Sequence, residues 1–177
     1  PDYWQIDSQK VVDFLTRECL WKEGGLYNRK TDRRIKAILP VHILGHPVDM
    51  DPILEIARRY NLMVVEDVAE GLGSKYKGHF VGTGGDIACL SFNGNKIVTC
   101  GGGGMILTKN EAWVRKARYL TTQAKDDPVE YIHKEVGYNY RLTNLQAAVG
   151  VAQMERLDHS IERKRIIARR YQEALKE

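Results

Sequence analysis

Apolar residues recur along this chain at two spacings, one helical and one extended. Between Ser8 and Leu20, Val11, Val12, Leu15 and Cys19 fall on one helical stripe, with Asp7 or Ser8 placed to cap it. The polar, glycine-containing stretch from Trp21 to Arg34 predicts an exposed loop or hairpin. Ile35 to Leu44 reads as a strand, and Asp51-Pro52 then supplies a cap and a proline at the first position of a helix over Ile53 to Tyr60. Leu62 to Val65 follows as a short apolar strand. Strand, helix and strand in this order make a βαβ unit, whose crossover sets the two strands parallel.

Further along, Tyr76-Lys77-Gly78 to Val81-Gly82 predicts a turn between short extended pieces, Asp86 to Phe92 a buried strand, and Gly104 to Thr108 another. Asn110 is placed to cap a helix through about Tyr119, and Asp126-Asp127-Pro128 breaks the order before a loop ending at Tyr140. Thr143 to Lys176 reads as helical nearly throughout, opening on a small-residue face and ending as a charged amphipathic arm. The expected architecture is α/β: residues 1–142 form part of an α/β cofactor-binding domain with a mostly parallel sheet and flanking helices, and 143–177 form a long C-terminal helix.

The 177 residues, 43% hydrophobic and 28% charged, suit one globular unit with a real core. The formal charge of +4 arises from signs that alternate along Glu155 to Lys176, which describes a solvated face and no nucleic-acid patch. Apolar runs stay well short of the roughly 18 residues of a membrane span. Three cysteines, Cys19, Cys89 and Cys100, form no CxxC pair, and with no leader ahead of them they suggest a reducing cytoplasm.

The chemistry concentrates around one lysine. Lys96 lies in Ser91-Phe92-Asn93-Gly94-Asn95-Lys96-Ile97-Val98, between a strand end and the tract Gly101 to Gly104. An amine nucleophile must be unprotonated part of the time and shielded from water, and the apolar neighbours of Lys96 predict partial burial. Alone, such a lysine is a surface charge; its company raises the functional reading. Asp67 closes the strand Val64-Val65-Glu66-Asp67, and strand C-termini are where open α/β sheets place ligands. A carboxylate there can hold a pyridine nitrogen protonated, although a turn or cap carboxylate is the plain alternative. Glu70, one short turn later, is a weaker candidate for the ring, and Ser91 for a phosphate. Together they are what pyridoxal phosphate chemistry asks of a protein.

The glycines Gly101 to Gly104 match no nucleotide fingerprint, and Gly82-Thr83-Gly84-Gly85 leads into no helix. Tight turning of the lysine loop against a neighbour is the favoured use of the tract. His42 and His46 do not have helical zinc spacing, so structural use is expected, with a hydrogen bond at the site mouth as the other role open to His42. Cys89 is expected to be buried filler.

Several motifs occur together and in order: Pro40-Val41-His42-Ile43-Leu44-Gly45-His46-Pro47-Val48-Asp49-Met50, Glu66-Asp67-Val68-Ala69-Glu70, Gly85-Asp86-Ile87, Ser91-Phe92, Lys96, Gly102-Gly103-Gly104-Met105 and Gly137-Tyr138-Asn139-Tyr140-Arg141-Leu142-Thr143. This set closely resembles the DegT/DnrJ family of sugar-nucleotide aminotransferases across nearly the whole chain. The resemblance implies a fold-type-I pyridoxal 5'-phosphate enzyme that moves an amino group from L-glutamate to a nucleotide-linked 4-keto-6-deoxy sugar. It implies Lys96 as the lysine that condenses with the cofactor, Asp67 as partner of the pyridine nitrogen, Glu70 beside the ring, and Ser91 on the phosphate. Asn139 would reach the phosphate of a partner's site across a homodimer, with Tyr138 and Arg141 shaping that contact. Lys96, where deoxygenating relatives have histidine, argues for transamination over dehydration.

The wording of Ser91 to Lys96 and of Thr121 to Lys125 most resembles the branch that leads to nonulosonic acids such as legionaminic acid. Family members also carry an earlier Gly-Thr loop for the phosphate, an aromatic residue stacked on the ring, and a smaller domain after the long helix. The resemblance therefore implies a piece of a longer enzyme. A non-catalytic fragment that binds pyridoxal phosphate or a nucleotide sugar is the alternative, and a nucleotide-binding protein using the glycine tract is a third.

Overall fold

The computed structural model describes residues 4–127 and 129–176; Pro128, expected to interrupt the order with Asp126 and Asp127, lies outside them. The chain opens on helix α1 (Ser8–Arg17), capped by Asp7, whose carboxylate accepts the Lys10 amide at 3.0 Å. Strands β1 (Cys19–Lys22), β2 (Gly25–Asn28) and β3 (Arg34–Ile35) form a small antiparallel sheet, the hairpin form of the predicted loop.

The main sheet takes β4 (Ala37–Ile38), β5 (Met63–Asp67), β8 (Ile87–Ser91) and β9 (Gly104–Leu107), in the order β4-β5-β8-β9. Helix α2 (Met50–Arg59) crosses between β4 and β5, which pair parallel as the βαβ reading requires. β5 pairs parallel with β8, and β9 runs antiparallel beside β8 at the sheet edge. The short pair β6 (Lys75–Tyr76) and β7 (His79–Phe80) brackets the predicted turn at Lys77-Gly78. No helix among the described residues is long and apolar enough to cross a membrane.

Most of the core lies between α1, α2, the hairpin and the β4–β5 edge, where Leu15, Leu26, Ile53, Ile56 and Val64 are buried together. Full burial of a side chain such as Ile53 stabilises by roughly 1.5–3 kcal/mol. A second cluster, Phe92, Val98 and Cys100, anchors the base of the lysine loop.

Three elements differ from the sequence reading. Of the predicted strand Ile35 to Leu44, Ile35 ends β3, Ala37–Ile38 form β4 and Val41 makes an isolated bridge to Asp67, because Pro40 donates no amide and Ile43–Gly45 close a 3-10 turn with Leu44 at φ 54°. Helix α2 starts earlier than predicted, at Met50, with Asp49 as its cap residue; Asp51 lies inside the first turn. The C-terminal helix is two: α4 (Asn144–Met154) and α5 (Leu157–Ala174), separated by Glu155 and Arg156. Gly150 of α4 lies against Cys100 and Ile161 of α5 lies over Gly73, so the break re-aims the chain between two packing surfaces.

Helix α3 (Glu111–Thr121) is capped by Asn110, as predicted, through the amides of Ala112 and Trp113. Thr143 caps α4 in a reciprocal box with Gln146. Thr143→Ala is expected to lower stability by about 1 kcal/mol, read as a shifted urea midpoint at constant slope.

Candidate active site

Parallel pairing of β5 and β8 brings their C-terminal ends to the same sheet edge, with Asp67 opposite Cys89 and Ser91 two residues further on. Past β5, two tight turns carry the chain from Val68 to Ser74, with the Gly71 amide donating to the Val68 carbonyl and the Ser74 amide to the Gly71 carbonyl, and set Glu70 at this edge. Past β8, the loop of Lys96 is closed at its base by the Cys100 amide on the Phe92 carbonyl at 2.9 Å. The buried Phe92, Val98 and Cys100 side chains hold that base in the core.

The Lys96 side chain is 17% exposed, the partial burial expected of it. Its Nζ lies 3.6 Å from Glu70 Oε1, while Glu70 Oε2 accepts the Leu44 amide at 2.6 Å. Lys96, Glu70 and Ser91 line one cavity of about 460 Å³ together with Leu44 and with Lys164 and Arg165 of α5. Ser91 Oγ accepts the Asn93 amide at 3.4 Å.

Asp67 stands at the strand end beside this cavity's elements but is not among its lining residues; its carboxylate accepts the Ala69 amide at 2.9 Å. Asn139 is elsewhere, in a larger open trough of about 1010 Å³ along β9 and α3, next to Tyr140 and Arg141. It bridges Thr122, and Tyr138 stacks on Tyr140 with centroids 5.0 Å apart. The described chain therefore brings Lys96, Glu70 and Ser91 together and keeps Asn139 apart. The larger concavity offers open apolar strand face and no amine, so the smaller one is the chemical candidate.

Reasoning from the sequence missed Glu66. Its carboxylate is buried and accepts the amides of Gly82, Gly84 and Gly85 at 2.8, 3.1 and 2.6 Å, and His42 Nε2 at 2.9 Å. Burial pushes the Glu66 pKa up, but hydrogen bonds from His42, Gly85 and Gly82 outweigh it and hold the carboxyl below its usual range. The available signal was the glycine cluster Gly82-Thr83-Gly84-Gly85, whose amides serve this side chain. His42 is correspondingly buried, on Glu66 and the Val48 amide, and takes the structural role instead of a place at the site mouth.

Two other expectations resolve. Cys89 is exposed, where burial was expected, because it opens into the trough along β9 and α3. The glycine tract does turn tightly against neighbours: a Cβ on Gly103, at φ 86°, would meet Leu142 at 2.4 Å, and one on Gly104 the Leu90 carbonyl at 2.3 Å.

The sequence profile of the DegT/DnrJ/EryC1/StrS aminotransferase family matches residues 1–177. A GDP-perosamine synthase of Caulobacter vibrioides is 52% identical over 135 residues, covering 76% of this chain and 36% of that protein. A GDP-perosamine synthase of Escherichia coli O157:H7 is 48% identical over 140 residues, covering 79% of this chain and 38% of that protein. Among solved structures, a DegT DnrJ EryC1 StrS aminotransferase from Brucella abortus superposes with a TM-score of 0.85 at 27% identity, over 99% of this chain and 44% of that one. The chain thus spans well under half the length of the proteins it matches.

Proposed function

The chain belongs to the DegT/DnrJ/EryC1/StrS aminotransferase family, and from that premise we propose that it is the lysine-bearing part of a pyridoxal phosphate-dependent sugar-nucleotide aminotransferase. The observation that carries the reading is the shielded Lys96 amine beside Glu70 and Ser91 at the C-terminal edge of the parallel strands. The acceptor is a nucleotide-linked 4-keto-6-deoxy sugar and the donor L-glutamate. Similarity to GDP-perosamine synthases supports a nucleotide-linked acceptor.

The residues present fit the cofactor: an amine to bond its aldehyde, a hydroxyl to donate to its phosphate, and strand-end carboxylates for its ring. Bound there, pyridoxal phosphate supplies an electron sink that makes the carbon bearing the substrate's nitrogen acidic. Lys96 would hold the cofactor through its Nζ, and the same amine, once free, would be the base that takes the proton from that carbon. Asp67 keeps the pyridine nitrogen protonated. Glu70 orients Lys96 through the 3.6 Å contact and stays fixed by its bond to the Leu44 amide. Ser91 donates to the phosphate. Asn139, which lines a different concavity from Lys96, would serve the phosphate of a second copy, and that reading implies a homodimer.

The test is covalent. Protein mixed with pyridoxal phosphate is reduced with borohydride and digested, and the modified peptide is identified. Selective modification of Lys96 is the expected result; label scattered over the exposed lysines, with Lys96 unmodified, would remove the assignment.

A further inference from the structure

Glu66 and Asp67 are consecutive carboxylates at the end of β5, and consecutive side chains leave opposite faces of a strand. The burial of β5 alternates accordingly, with Val64 and Glu66 inside and Asp67 on the other, half-buried face. A slip of one residue would exchange the two carboxylates. The Glu66 carboxylate has four donors around it, where the Asp67 carboxylate has the Ala69 amide. Glu66 Oε1 accepts Gly84 and Gly85, and Oε2 accepts Gly82 and His42 Nε2. Because His42 Nδ1 accepts the Val48 amide at 3.1 Å, the ring carries its proton on Nε2 and donates it to Glu66.

The same network closes on the candidate site. The His42 amide donates to the Asp67 carbonyl at 3.0 Å, and the Asp67 amide to the Pro40 carbonyl at 2.9 Å, so the segment pinned by His42 brackets the Asp67 peptide. Two residues after His42, Leu44 gives its amide to Glu70, and Ser74 Oγ donates to the Gly45 carbonyl at 2.7 Å. Leu44 holds a left-handed backbone unusual for a branched side chain, which persists only when its surroundings impose it.

We infer that Glu66 and His42 are positioning residues: with the Gly82–Gly85 amides they form a register lock that delivers Asp67 to the site face and fixes Glu70 through Leu44. This rests on the reading of Asp67 as the partner of the cofactor's ring nitrogen. Glu66 touches neither cofactor nor substrate and acts through these neighbours.

The experiment uses the whole protein carrying Glu66→Gln, His42→Gln or His42→Asn, with Asp67→Asn as reference. In the cofactor-free protein, Glu66→Gln should speed amide hydrogen exchange at Asp67 and Leu44 at least tenfold while leaving Val114 of α3 unchanged. With pyridoxal phosphate bound, the pH midpoint of its visible band should shift in the same direction as in Asp67→Asn. His42→Gln, which keeps a donor near the Nε2 position, should disturb both readouts less than His42→Asn. Faster exchange at Asp67, Leu44 and Val114 alike, with an unmoved band, would mean general destabilisation and would overturn the lock. Equal behaviour of the two His42 variants would also overturn it, and that comparison decides if Glu66→Gln does not fold. Localised exchange in Glu66→Gln with no band shift in Asp67→Asn would instead uphold the lock and remove Asp67 as the ring partner.

Discussion

Lys96→Ala is expected to abolish transamination in the whole protein, by at least about 10⁴-fold, since it removes both the covalent tether and the proton carrier. Fold stability should barely change. The ion pair with the partly exposed Glu70 is of the kind that contributes about 0–1 kcal/mol. Lys96→Arg separates the charge of the side chain from its chemistry, because guanidinium keeps the positive charge but neither condenses with an aldehyde nor gives up a proton near neutral pH. Both variants should be equally inactive and equally colourless with pyridoxal phosphate after gel filtration. Measurable turnover in Lys96→Ala would show that another group does the chemistry.

The portion of this architecture legible in the sequence is the portion set by neighbours along the chain. The stripe Val11, Val12 and Leu15 with Asp7 ahead of it gave α1, Asn110 gave the start of α3, and two short apolar runs around a helical one gave the parallel pair β4 and β5. What escaped depends on contacts distant in sequence. Pro40 and the turn at Ile43–Gly45 end an apolar run that looks extended, because His42 must turn inward to reach Glu66, 24 positions away. The break at Glu155 and Arg156 has no glycine or proline to announce it and follows from where Cys100 and Gly73 lie. Lys96, Glu70 and Ser91 stood out as candidates because each lies at or just past a strand end, and they do line one cavity, whereas no local signal shows that Asn139 lies in a different concavity.

Glu66 was passed over for a physical reason that also makes it costly to lose. A fully buried carboxylate is rare unless donors surround it, and here they come from residues 16, 18 and 19 positions downstream and from His42. Glu66→Ala strands all of them away from water and is expected to cost about 3–5 kcal/mol, a large part of the roughly 5–15 kcal/mol that holds a domain folded. The stabilisation also has a pH signature. The folded pKa lies below that of the unfolded carboxyl, about 4.3, so the contribution is full above that value and is lost as pH falls through the lower, folded one. Asp51, Asp126 and Asp127 are likewise held low and add their own acid sensitivity, but they are common to wild type and variant. The difference between the two therefore isolates Glu66 together with its buried partner His42. Chemical denaturation between pH 3 and 7 should show wild type losing its advantage over Glu66→Ala as acid is added. A constant gap across that range would mean that Glu66 stabilises by filling space and not by charge, and the glycine amides would then need another partner.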